Sequence, residues 1–228
     1  MAVTRPLFIS RPPISGAPIF GPMSRRGVIA CGLALVPASA LAARGKVVTI
    51  LGDSITAGLG LPAAAALPNQ LHLALEKLGV PNVVRGAGVS GDTSGDGARR
   101  VDFSVQPDTS VVVVALGGND LLQGVDPKTI RANLDKILNR LKQRRMSVVL
   151  AGLHAPPEIG RGYAKDFNAV FTSLAKAHGV TLYPDLLAGV GRNPALNQND
   201  AIHPNARGVQ IIAGKLAPVV ARALARRP

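Results

Sequence analysis

From residue 46 onward the chain alternates two hydrophobic patterns. Short, nearly all-apolar runs rich in β-branched residues lie at 47–51, 83–84, 111–116, 148–153 and 180–183. Runs of that length and make-up predict strands buried on both faces. Between them, apolar residues recur at helical spacing over 62–78, 92–102, 127–145, 161–178 and 205–225. Five strands alternating with helices predict an α/β fold, a five-stranded parallel sheet covered on both faces in three layers. Such sheets bind ligands beyond the carboxyl ends of their strands. Chemistry is therefore sought in the polar segments that follow each apolar run.

The first 43 residues follow neither pattern. Residues 1–22 hold Pro6, Pro12, Pro13, Pro18 and Pro22 without periodicity, which predicts a Pro-rich leader without structure. Arg25 and Arg26 then precede an apolar run at 27–43 that contains Ala38-Ser39-Ala40 and Ala40-Leu41-Ala42. This order of charge, apolar segment and small-residue site is that of a signal peptide, assigned to 23–43. The run contains Pro37 and is short of the roughly 20 residues a stable span needs. Cleavage is expected rather than an uncleaved anchor, with a periplasmic or secreted protein as the result. Ser24-Arg25-Arg26 resembles a twin-arginine signal, with Val28 where those signals usually carry an aromatic residue. If Met23 is the start, the leader falls away and the signal has ordinary length. The working domain is 44–228.

Composition narrows the function. Of 228 residues 47% are hydrophobic and 17% charged, and the net charge is +13. Four of the 26 cations but none of the 13 acids precede residue 44, so the domain carries +9. A basic chain invites a nucleic-acid reading. With no Trp, two Tyr and five Phe, however, it lacks the aromatic platforms on which unstacked bases rest. The stretch 127–145 sets Lys128, Arg131, Lys136, Arg140, Lys142, Arg144 and Arg145 against an apolar stripe of Ile130, Leu134, Ile137, Leu138 and Leu141. That is a solvated helix face, with contact to an anionic membrane surface as its second use. A lone cysteine, Cys31, excludes disulfide frameworks and thiolate clusters.

Four polar segments sit at the strand ends. Gly52-Asp53-Ser54 follows the first run. There a serine entering a helix either caps it or exposes its hydroxyl beside free backbone N–H groups. Gly88-Val89-Ser90-Gly91-Asp92-Thr93-Ser94 follows the second, a loop able to aim an N–H outward. Gly117-Gly118-Asn119-Asp120 follows the third; its Asn either offers amide donors or closes a turn. Asp200-Ala201-Ile202-His203-Pro204 places a carboxylate three residues from an imidazole, close enough in a turn to hold one ring nitrogen and leave the other as a base. Together they supply nucleophile, oxyanion donors, base and base-orienter. Asp53 and Asp120 read as supports that accept backbone N–H groups.

These segments, in order and spread over 46–225, resemble the four sequence blocks of the SGNH hydrolases, also called the GDSL family. Residues 50–58, 90–94 and 116–120 are most similar to the branch of bacterial periplasmic multifunctional acyl-CoA thioesterases, arylesterases and lysophospholipases. The resemblance implies a three-layer flavodoxin-like fold, a serine esterase mechanism and no cofactor; from the residues themselves no metal is expected. Ser54, His203 and Asp200 would be the catalytic triad, and Ser54, Gly91 and Asn119 the oxyanion hole. The expected substrate is a small-molecule acyl ester or thioester. A carbohydrate O-acetyl esterase and a non-catalytic module binding lipid or polyanion are the alternatives on the same fold. His154 follows the fourth strand beside Pro156 and Pro157, which makes it a candidate substrate-binding residue, with 155–163 as a mobile rim. His72 and His178 fall on helices. Gly86-Ala87-Gly88-Val89-Ser90-Gly91 spells a dinucleotide fingerprint, but no acid closes a following strand at the required distance. Asp92-x-Ser94-x-Asp96-Gly97 opens like a calcium loop whose bidentate position is Phe103.

Overall fold

The computed structural model describes residues 45–226; the leader and signal peptide assigned to 1–43 lie outside them. Five strands, β1 (Lys46–Gly52), β2 (Asn82–Gly88), β3 (Thr109–Ala115), β4 (Ser147–Ala151) and β5 (Thr181–Tyr183), form one sheet in the order β2-β1-β3-β4-β5. Every neighbouring pair is parallel. The helices are α1 (Ser54–Ala57), α2 (Leu67–Lys77), α3 (Ser94–Ser104), α4 (Gly118–Leu122), α5 (Pro127–Gln143), α6 (Arg161–His178) and α7 (Ala206–Ala225).

Strand alternation sorts the core into two halves. Val48, Ile50, Val111, Val113 and Val149 face α2 and α7, where Leu71, Leu75, Val209, Ile212 and Leu216 meet them. Leu51, Val112, Val114, Val148 and Leu150 face α3, α5 and α6 through Val101, Ile130, Leu134, Phe167 and Phe171. A sheet apolar on both faces must be covered on both, so three layers follow from the five runs. The apolar stripe of α5 is buried as expected, while its cations lie outward or on neighbouring polar groups, Arg140 reaching Asp102 at 2.6 Å. Helix α7 is long and apolar enough by composition to span a bilayer. Here its apolar stripe covers the sheet.

Several boundaries differ from the pattern. The stretch 62–78 is not one helix: Ala63–Ala65 forms a 3-10 turn, Ala66 is extended, and α2 begins at Leu67 with Pro68 in its first turn. Proline fits that position and not a helix interior. Strand β2 is far longer than 83–84. It lies at the sheet edge, so Arg85 and Gly86 need no burial on two faces. Helix α3 starts at Ser94, not at 92, because Thr93 and Asp96 form a capping box that fixes the first turn.

Order and register place the crevice. The sheet runs outward in both directions from β1 and β3, so β1 and β3 flank the switch point where α/β sheets open. Gly52 pairs with both Gly88 and Ala115, which brings three strand ends level. Glycine at 88 is required there: a Cβ would lie 2.4 Å from the backbone nitrogen of Ala57 as α1 folds beneath β2.

Candidate active site

Ser54 opens α1 directly beyond β1. Asp53 caps that helix, accepting the N–H of Ile55 at 3.1 Å, and leaves the serine at the crevice floor. The chain leaves β3 through Gly117, whose φ of 118° suits glycine and turns the backbone into α4. Asn119 is thereby set beside the loop after β2. Its side-chain amide donates to the carbonyl oxygen of Asp92 at 2.9 Å, and one amide hydrogen remains for a ligand. Among the described residues the backbone N–H groups of Ser54 and Gly91 have no acceptor.

The imidazole arrives from the far end of the chain. His203 Nε2 lies 2.8 Å from Ser54 Oγ, across 149 residues of sequence. Asp200 Oδ2 lies 2.6 Å from His203 Nδ1, and Asp200 Oδ1 accepts the backbone N–H groups of Ile202 and His203 at 2.9 and 3.0 Å. This fold-back needs a left-handed residue between them, and Ala201 supplies it with φ 60°. Gln198 ties the two arms together: its Nε2 donates to the carbonyls of Leu59 at 2.8 Å and Pro204 at 3.1 Å, and its backbone N–H donates to His203 O at 2.8 Å.

Two carboxyls border the site with opposite electrostatics. The backbone N–H of His203, then its ring, then the N–H of Ile202 hold Asp200 down at about 2. Burial pushes Asp53 up to about 6, although the N–H groups of Ile55 and of Asp53 itself and the nearby His203 oppose the rise. Asp200 is thus ionised wherever the imidazole can act as a base, which suits a partner that stabilises imidazolium.

A cavity of about 400 Å³ opens over Ser54. Asp53, Asn119, His154 and His203 line it, with Ile55, Leu121, Leu122, Leu153, Leu186, Leu187 and Ile202 as its apolar wall. The structure therefore brings Ser54, Asn119, His203 and His154 to one space, with Asp200 behind His203. Gly91 is not on the cavity wall. It sits next to Asp92, the residue that Asn119 grips, in a left-handed turn with φ 88°. The rim at 155–163 is anchored at its start, because Asn168 accepts from and donates to the backbone of Ala155 at 2.7 and 3.1 Å.

The remaining motifs have other partners. Asp120 is buried and accepts the N–H and hydroxyl of Ser94 at 2.7 and 2.5 Å. Gly86 and Gly88 of the apparent dinucleotide fingerprint lie inside β2. Asp92 is paired with Arg100 and Asp96 with Thr93. His72 bonds Asn82 at 2.9 Å and His178 bonds Asp135 at 2.7 Å, both away from the cavity. Sequence reasoning missed the wall residues from 185 to 192, which lie in a loop without periodicity, as well as Gln198 and Arg100.

Residues 50–211 match the family described as GDSL-like Lipase/Acylhydrolase. The chain is 36% identical over 177 residues to the Escherichia coli K12 protein named thioesterase 1/protease 1/lysophospholipase L1, covering 77% of this chain and 84% of that one. It is 34% identical over 156 residues to an arylesterase of Vibrio mimicus, covering 68% and 78%. Among solved structures, TesA superposes with a TM-score of 0.74 at 30% identity over 78% of this chain and 99% of that one. AlinE4, an SGNH-hydrolase family esterase, gives 0.66 at 38% identity over 78% and 96%.

Proposed function

Because the chain belongs to the GDSL-like lipase/acylhydrolase family and is a hydrolase of ester bonds, we propose that it works as a serine esterase and thioesterase through Ser54, His203 and Asp200. The observation that carries this is the continuous chain from Ser54 Oγ through the imidazole to Asp200, with steps of 2.8 and 2.6 Å.

Ser54 Oγ attacks the acyl carbonyl and gives its proton to His203 Nε2. Asp200, accepting the Nδ1 proton, fixes the tautomer and offsets the charge on the ring. The carbonyl oxygen becomes an oxyanion, received by the N–H groups of Ser54 and Gly91 and the free amide hydrogen of Asn119. His203 then protonates the departing alcohol or thiol, leaving an acyl-enzyme. A water molecule deprotonated by the same nitrogen attacks that ester, and the acid leaves as Ser54 Oγ regains the proton. His154 borders the acyl or leaving-group side of the cavity. Residues 23–43 would deliver the domain to the periplasm or beyond.

The test uses the purified protein with p-nitrophenyl butyrate, butyryl-CoA and an alkyl phosphonate. Phosphonylation at Ser54, loss of turnover in Ser54→Ala with an unchanged circular-dichroism spectrum, and a loss in kcat of about a hundred- to a thousandfold in Asn119→Ala are expected. Turnover surviving in Ser54→Ala would reject the assignment. The mass of the mature N-terminus after expression in a bacterial host tests export and cleavage.

A further inference from the structure

One charged side chain joins segments that neighbour the parts that would hold the oxyanion. Arg100, on α3, is largely buried and pairs with Asp92, Nε to Oδ2 at 2.5 Å. Its Nη2 donates to the carbonyl of Gly52 at 2.7 Å, and its Nη1 to that of Ala87 at 2.9 Å and to the hydroxyl of Ser104 at 3.0 Å. One guanidinium thus joins the end of β1, the end of β2 and the loop after β2. Gly52 stands two residues before Ser54. Asp92 directly follows Gly91, and its carbonyl orients Asn119 at 2.9 Å.

We propose that Arg100 is a positioning residue for the oxyanion hole, fixing the loop at 91–92 against the strand that carries Ser54. The proposal rests on the roles given above to Ser54, Gly91 and Asn119. Donors of an oxyanion hole act only if they already point to where negative charge will develop. A loop of glycine and short polar residues does not hold that aim by packing, whereas a planar fork with five N–H groups spans several acceptors in one geometry. Lysine, with a single ammonium, cannot meet Asp92, Gly52 and Ala87 together. Because the oxyanion exists only beyond the ground state, Arg100 acts on kcat and leaves KM nearly alone.

Arg100→Met, Asn119→Ala and their combination are compared on p-nitrophenyl butyrate with the full chain. Arg100→Met is expected to lower kcat about tenfold or more with KM within about twofold. The loss in the double variant should fall short of the product of the single losses by about fivefold or more, since Arg100 works partly by aiming Asn119. Single losses that multiply, or an unchanged kcat, would overturn the proposal. Should Arg100→Met fail to fold, Arg100→Lys retains a charge against Asp92; a severalfold loss of kcat at an unchanged melting temperature supports positioning, and wild-type kcat rejects it. Ser54→Ala separates the layers: if that variant is inactive, a negative result at Arg100 removes this proposal alone, while activity in it removes the reading of the site.

Discussion

Asp200 holds His203 at two points, with Oδ2 on ring Nδ1 at 2.6 Å and Oδ1 accepting the histidine's own backbone N–H at 3.0 Å. The carboxylate therefore fixes both where the residue sits and how its ring is turned. In Asp200→Asn the side-chain carbonyl still serves the backbone N–H groups, but the amide group left for Nδ1 donates and selects the wrong tautomer. The expected result is a loss of about a thousandfold or more in kcat with the fold retained, read from steady-state kinetics beside a circular-dichroism spectrum.

Asp53 gives stability a pH slope. Its carboxyl titrates near 6 in the folded protein against an ordinary 3.8, so the folded state binds the proton more tightly than the unfolded chain. This contribution is complete below 3.8 and disappears as pH rises through about 6, amounting to about 3 kcal/mol if burial acts in full. Asp200 runs the other way: held at about 2, it stabilises the fold above the ordinary carboxylate range and ceases to do so on acidification toward 2. Denaturant melts from pH 3 to 8 should show Asp53→Asn flattening the fall between 4 and 6. An identical slope in the variant would exclude Asp53 as its source.

Leu122 and Ile202 are exposed apolar residues on the cavity wall. A chain long enough to reach them gains about 0.8 kcal/mol per methylene buried, and acetate gains nothing. Leu122→Gln and Ile202→Gln are each expected to raise KM for p-nitrophenyl octanoate about three- to tenfold while leaving the acetate ester within twofold. A chain-length series provides the comparison.

Asp120 accepts two hydrogen bonds from Ser94 inside the protein. Asp120→Ala strands both donors and frees the first turn of α3, at about 2–4 kcal/mol by the usual worth of bonds to a charged group. For a domain of this size that lowers the melting temperature by about 5–15 °C, measurable by calorimetry.

Ser54 and Asn119 were legible because each follows a strand whose apolar run is unmistakable, and strand ends of a parallel sheet gather on one side; the 88–94 loop follows a run of only two β-branched residues, and Asp200 and His203, which follow no strand end, were legible through their own three-residue spacing. Asp92 and Arg100 show where that legibility ends. Read as members of one helix from 92 onward, they would stand eight residues and about 12 Å apart. The capping box at Thr93 instead leaves Asp92 in the loop, where it folds under the helix to meet the guanidinium. The wall at 185–192 has no period to read, since its side chains are aimed by hydrogen-bonded turns such as Val190 N–H to Leu187 O at 2.9 Å. Gln198 was equally silent, because its importance lies in carbonyls 139 and 6 residues away.

That same glutamine is the tie that heat is expected to loosen first. Serine rides on a strand end locked into the core, whereas the imidazole stands on the turn that enters α7, held to its own helix by buried Pro204 and the cap Asn205 but tied across to the serine's side by the hydrogen bonds of Gln198. Such moorings loosen below the temperature at which packed sheets melt. Warming should silence turnover while ellipticity is still native, and cooling from that point should restore it, because the sheet that seats Ser54 never came apart.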